Sequence, residues 1–200
     1  MNVQFFLVAP PGTEPAQFMS PLKSVLATAA VSALLLPREG HTDASYKVLA
    51  KAVIPVAQAA NCAVLIEGEA GLVKALGADG LQVSGDIGEV KAAIAALKPH
   101  HVVGAASIAS RHDAMSKGEL GPDYLFFGPT SGIRDPEQRE MARWWAEIFE
   151  IPAVLSDPLA NAETAASEGA EFIALGESLW AASDPAAMLA KIAEALKVAA

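Results

Sequence analysis

The chain has 200 residues, of which 52% are hydrophobic and 18% charged. That composition excludes a disordered polymer, and a domain of this size buries about 70% of the surface its unfolded chain exposes, so one core can hold it without disulfide or metal. Fourteen Lys and Arg against 23 Asp and Glu give a net charge of −9 with no basic run, which argues against nucleic acid or an anionic membrane as partner. The single cysteine, Cys62, supports neither a disulfide framework nor a Cys/His zinc cluster. Mean hydropathy is +0.33, yet no apolar run reaches the roughly 18 residues of a spanning helix. The expected setting is a reducing cytoplasm, with small molecules or other proteins as partners.

In chain order, strand-length apolar runs alternate with segments of helix formers. Val3–Val8 is a strand closed by Pro10-Pro11-Gly12; it lacks a basic flank and reads as a strand rather than a signal peptide. Pro15 to Ala30 is a helix with apolar residues at Phe18, Leu22, Val25 and Leu26. Ser32–Leu36 is the second strand, and Thr42 with Asp43 caps a helix to about Ala60. Then follow strand Cys62–Ile66, a short helix Ala70–Leu76 stopped at Gly77, and strand Ala78–Val83. The second half repeats the pattern: helix Ile87–Leu97, strand His101–Ala106, helix Ser110–Lys117, strand Asp123–Phe127, and a helix from Asp135-Pro136 to Glu150. Strand Pro152–Leu155, helix Leu159–Ser167, strand Glu171–Leu175 and helix Pro185–Ala199 complete the series.

Continuously apolar strands are those of a parallel sheet buried on both faces. Three helix-to-strand joints look alike: Gly77-Ala-Asp-Gly80, Gly121-Pro-Asp-Tyr124 and Gly169-Ala-Glu-Phe172. Regular repetition and eight strand-helix units predict a single compact (β/α)₈ barrel over residues 1–200; an open doubly wound sheet is the alternative, and no glycine-rich dinucleotide fingerprint follows the first strand.

A barrel places its active site at the C-terminal ends of the strands. The candidates there include Arg38, His41, Glu67, Glu69, Asp86, Ser107, the loop Gly128–Arg134, Asp157 and Glu177. The loops after the seventh and eighth strands, where such barrels usually cradle phosphate, carry the carboxylates Asp157 and Glu177, which oppose a phosphate dianion. Gly128–Arg134 is the better oxyanion loop: its glycines free the backbone around Gly132, Thr130 and Ser131 offer hydroxyls, and Arg134 offers a guanidinium fork. Read blandly, it is a surface loop leading into a capped helix. Glu67, Glu69 and Asp86 can gather a Mg²⁺ ion, or Glu69 simply serves the start of its helix. His41 is either a general acid-base or a solvated loop residue. Cys62 reads as core, His100 and His101 as structural residues at the opposite end, and His112 as an exposed helix residue. Of the adjacent Trp144 and Trp145, one is expected to pack on the barrel and the other either to mark a homodimer contact or to be half-buried.

The chain resembles the thiamine phosphate synthase and thiazole tautomerase superfamily. The resemblance covers most of the chain and is carried by Val64-Leu-Ile-Glu-Gly-Glu69, Leu76-Gly-Ala-Asp-Gly-Leu-Gln-Val-Ser-Gly-Asp86, Val103-Gly-Ala-Ala-Ser107 and Pro122-Asp-Tyr-Leu-Phe-Phe-Gly-Pro129. It implies a compact (β/α)₈ barrel and a Mg²⁺-dependent transferase that joins a thiazole phosphate to an aminopyrimidine diphosphate through a carbocation-like step, releasing pyrophosphate. On the matching positions, Asp86 is a magnesium ligand and Arg134 stands where the family has a lysine. The family's Asn-Asp-Arg is here Glu67-Gly68-Glu69, its His-Leu-Gly-Gln is Gln82-Val-Ser-Gly85, its Gly-Gly-Ile phosphate loop is Leu155-Ser-Asp-Pro158, and the tautomerase histidine falls on Pro129. The expectation is therefore a phosphorylated small molecule held by Arg38, Ser107, Thr130, Ser131, Gly132 and Arg134, a metal at Asp86 and Glu67, and synthase turnover altered by the missing cations. The alternative is a catalytically silent barrel that binds a small ligand or a partner subunit.

Overall fold

A computed structural model describes residues 3–198. The strands are β1 Gln4–Val8, β2 Val31–Leu36, β3 Ala63–Ile66, β4 Gly80–Val83, β5 Val102–Ala105, β6 Tyr124–Phe127, β7 Ala153–Asp157 and β8 Phe172–Leu175. They pair in parallel in chain order, and β8 returns to β1 to close the barrel. The sheet is thus closed rather than doubly wound. Around it lie α1 Pro15–Thr28, α2 Asp43–Ala59, α3 Ala70–Leu76, α4 Ile87–Leu97, α5 Arg111–Gly118, α6 Pro136–Ile148, α7 Glu177–Ala181 and α8 Pro185–Val198; the expected end of the last helix at Ala199 lies outside the described residues. Among the described residues no helix is long and apolar enough to cross a membrane.

Strand alternation divides the core into two layers. Phe6, Leu35, Leu65, Tyr124, Phe126 and Val154 form a buried cluster inside the barrel, where Phe6 meets Tyr124 and Phe126 edge-on at 5.7 Å. The opposite faces, with Leu7, Leu34, Ile66, Val103, Leu155 and Ile173 among them, pack against the helices. Cys62 belongs to that outer layer at 1% exposure, as expected, and burial pushes its thiol up to about 12.

The three similar joints share one function. Each glycine, Gly77, Gly121 and Gly169, has a left-handed φ between 72° and 88°, which only glycine adopts without strain. The acid two residues on then accepts the N–H near the start of the preceding strand: Asp79 from Val64 at 2.7 Å, Asp123 from Val103 at 2.8 Å and Glu171 from Ala153 at 2.8 Å. The repeat therefore clips strands together in the pairs β3–β4, β5–β6 and β7–β8 at the end opposite the mouth.

One expected element is absent. Leu159–Ser167 forms turns, not a helix, because its first carbonyls are taken by neighbours: Pro158 O by Ser178 N–H, Leu159 O by Arg134, and Ala160 O by the Ser178 hydroxyl. Asn161 reinforces this by accepting from the N–H groups of Glu163 and Thr164, the local competition that disfavours helix at such residues. The five-residue α7, unforeseen in the sequence, supplies Ser178.

Trp145 is 1% exposed and donates its indole N–H to Ile151 O at 2.8 Å. Trp144 is half-buried, with the Arg111 guanidinium 4.8 Å from its ring centre and Phe149 edge-on at 5.4 Å.

Candidate active site

At the C-terminal ends of the strands, alternation points Glu67, Gln82, Ser84 and Ser156 toward the barrel axis. Glu67 follows β3 directly. Its carboxylate accepts the backbone N–H of Arg38 at 2.9 Å, and its own N–H donates to the Tyr46 hydroxyl at 2.9 Å, which in turn donates to Leu36 O at 2.6 Å. One buried phenol on α2 thereby ties the ends of β2 and β3 together and seats Glu67 at the mouth. Desolvation, the largest effect, raises the Glu67 carboxyl above its ordinary range; the Arg38 N–H opposes this, Glu39 adds to it, and the Ser84 hydroxyl opposes it. Below, Tyr124 on β6 donates to Gln82 Oε1 at 3.0 Å. Burial, and secondarily the charge of Glu67, holds that phenol well above its ordinary value.

Arg38, Glu67, Ser84 and Gly85 border a cleft of about 690 Å³ that runs outward along Val83 toward Ala93. Arg38 also borders a smaller cavity of about 250 Å³ with Tyr46 and Lys47. Its guanidinium is ion-paired to Asp43 and lies 5.6 Å from the Tyr46 ring centre. His41 is tilted against Tyr46 at 5.8 Å between ring centres, and its Nε2 is buried without a partner. Ser107 is exposed in a left-handed conformation, φ 53°; its carbonyl and that of Ala106 accept from the buried Lys117 ammonium at 3.1 and 3.0 Å.

The loop Gly128–Arg134 follows β6 at the mouth, with left-handed φ at Gly128 and Gly132. Thr130, Ser131 and Gly132 are half-buried, and Ile133 beside them is 84% exposed. The loop is fastened at three points: Gly128 N–H to Gln138 at 3.2 Å, Pro129 O to the Ser156 hydroxyl, and Arg134 to Asp157. Arg134 gives Nε to Asp157 at 2.7 Å and Nη2 to Thr164 at 2.6 Å. The structure thus spends the expected phosphate-binding arginine on the β7–β8 connection, where it stands against a carboxylate only 4% exposed.

Asp86 likewise has a structural task. Its Oδ1 accepts from Gly88 and Glu89 N–H at 2.8 and 3.0 Å, and Glu89 reciprocates onto Asp86 N–H at 3.0 Å, a complete capping box on α4. Among the described residues no three His, Cys, Asp or Glu side chains converge as metal ligands. Glu67 and Asp86 each already accept backbone N–H groups.

Sequence reasoning missed Tyr46, Lys117 and the contact between Gln82 and Tyr124. For the last a signal existed: Gly104 is a glycine inside an otherwise apolar strand run, which marks close approach of another group.

Residues 5–179 match the family model for thiamine monophosphate synthase. A thiamine-phosphate synthase of Hyphomonas neptunium is 34% identical, with 93% of this chain and 90% of that protein covered; another from Rhodospirillum centenum is 28% identical with 96% of each covered. Among solved structures, thiamine phosphate pyrophosphorylase from Pyrococcus furiosus superposes with a TM-score of 0.80 at 17% identity, covering 98% of this chain and 96% of that one. The 3-hexulose-6-phosphate synthase of Salmonella typhimurium also superposes, with a TM-score of 0.72 at 17% identity, covering 96% of this chain and 98% of that one, a likeness of fold. With the closed barrel and the family model spanning most of its length, the chain belongs to the thiamine monophosphate synthase family.

Proposed function

We propose that this barrel handles thiamine precursors, binding a thiazole phosphate or an aminopyrimidine phosphate at its C-terminal mouth with synthase turnover reduced or lost. The phosphate contacts in this reading are Arg38, the Ser107 and Ser131 hydroxyls, and the N–H groups of Thr130–Gly132. The observation that carries it is the disposition of charge. Arg134 is held by the buried Asp157, and Arg38, paired only with the exposed Asp43, is left as the cation that can turn to a ligand, while Glu67 brings a desolvated carboxyl to the same mouth. A monophosphate needs few donors; a departing pyrophosphate needs several cations, and each charged hydrogen bond is worth about 1.5–3 kcal/mol.

A second reading, full synthase activity, is favoured by the relatives named thiamine-phosphate synthase at up to 34% identity. The experiment supplies both precursors with and without Mg²⁺ and quantifies thiamine phosphate, alongside thermal shift with each precursor separately. Stabilisation by a single precursor with little product supports the first reading; rapid product formation replaces it with the second. Absence of any stabilisation at ligand concentrations that should give about 2.7 kcal/mol, a hundredfold above Kd, removes this ligand class.

A further inference from the structure

Gln82, Gly104 and Tyr124 are register partners across three adjacent strands, β4, β5 and β6. A Cβ at position 104 would stand 1.9 Å from Tyr124 Cζ and 2.3 Å from its hydroxyl oxygen. Glycine therefore lets the phenol lie across β5, so that its hydroxyl reaches Gln82 Oε1. In that bond the amide oxygen accepts from Tyr124, and the NH₂ group is left with two hydrogens to place. Gln82 is 2% exposed, and its Nε2 is buried with no acceptor. An apolar side chain of similar volume would fill the same space without an orphaned donor, so the amide is held against the interest of stability, as is common where a group serves a ligand. Gln82 borders the mouth cleft together with Glu67 and Ser84. The Glu67 carboxylate there repels a second anion, which leaves an uncharged acceptor as the partner for Nε2–H.

We propose that Gln82 is a specificity-determining donor, giving its Nε2–H to a neutral acceptor, a ring nitrogen or carbonyl oxygen, on the non-phosphate part of the ligand, with Tyr124 as its positioning residue. The inference rests on the phosphorylated-precursor reading of the mouth and adds which end of that ligand lies inward.

The test is titration calorimetry with thiazole phosphate, the aminopyrimidine phosphate and inorganic pyrophosphate. The proteins are the natural chain, the double variant Gln82→Leu/Tyr124→Phe, which removes both polar ends together, and Gln82→Met, which keeps length and packing should the double variant fail to fold. Expected are an unchanged or higher melting temperature, affinity for a ring phosphate lowered about tenfold or more, and pyrophosphate affinity unaltered. Tyr124→Phe alone lowers ring-phosphate affinity by less, because the freed amide still donates. Unchanged ring-phosphate affinity in both Gln82 variants overturns the inference, as does a parallel fall for pyrophosphate. If the natural chain binds pyrophosphate but neither ring phosphate, the inference fails and the anion site stands; if it binds none of the three, the precursor reading fails and takes the inference with it.

Discussion

Tyr46→Phe deletes one oxygen and nothing else from a side chain that is fully buried. That oxygen serves two strands, donating to Leu36 O at 2.6 Å and accepting from Glu67 N–H at 2.9 Å. Leu36 is fully buried, where water cannot replace the lost bond, and Glu67 is half-buried, where water replaces it in part. A buried polar group left unpaired costs about 1–3 kcal/mol, so the loss of both contacts should total about 2–4 kcal/mol. For a domain of this size each kcal/mol lowers Tm by about 2–4 °C, giving a fall of about 4–16 °C. Burial, the main cause, holds the Tyr46 hydroxyl well above the ordinary phenol range, so the penalty should not vary between acidic and mildly alkaline buffer. Urea denaturation followed by tryptophan fluorescence measures it, with an unchanged m value as the sign that the two end states are intact. A destabilisation below about 0.5 kcal/mol, the size of an ordinary surface substitution, would refute the bridge as the element that seats Glu67.

Arg134→Met strands the buried Asp157 carboxylate, whose Oδ2 already lacks a partner; because Arg134 is itself one-third exposed, the expected cost is the lower end of the buried-pair range, about 3 kcal/mol. A double-mutant cycle with Asp157→Asn should give a coupling of about 1–3 kcal/mol by denaturant melts, and a value under about 0.5 kcal/mol would dissolve the tether. Asp86→Asn keeps the helix cap, since asparagine caps as well as aspartate, so stability and precursor affinity should hold with or without Mg²⁺; a Mg²⁺-dependent loss of affinity would reinstate Asp86 as a metal ligand. For Cys62, the folded thiol keeps its proton up to about 12 while the unfolded one ionises near its ordinary 9.0. The folded state therefore binds more protons between these values, and stability should fall as pH rises through that window, by at most about 1.4 kcal/mol per pH unit. Cys62→Ala should remove that slope, and equal slopes in the two proteins would contradict the burial argument.

Much of the scaffold is legible in the chain because its signals are local. Gly77, Gly121 and Gly169 mark left-handed stops, Thr42, Asp86, Ser110 and Asp135 cap helices with their own side chains, and uninterrupted apolar strands announce burial on both faces. The site is less legible. Arg134 and Asp157, 23 residues apart, look like two independent mouth residues until the fold sets them against each other.

The sequence by itself determined the number, order and ends of most elements, and with them a barrel whose mouth is short of free cations, because capping, turn chemistry and hydrophobic period act over a few residues. Only the tertiary structure decided that Leu159–Ser167 is not helical, since Arg134 and Ser178 take its carbonyls. It alone decided that Gln82 meets Tyr124 across Gly104 and that Arg134 is set against Asp157. These outcomes depend on which distant donors and acceptors share a buried place, where an unpaired polar group is too costly to leave and partners are chosen by proximity rather than by position in the chain.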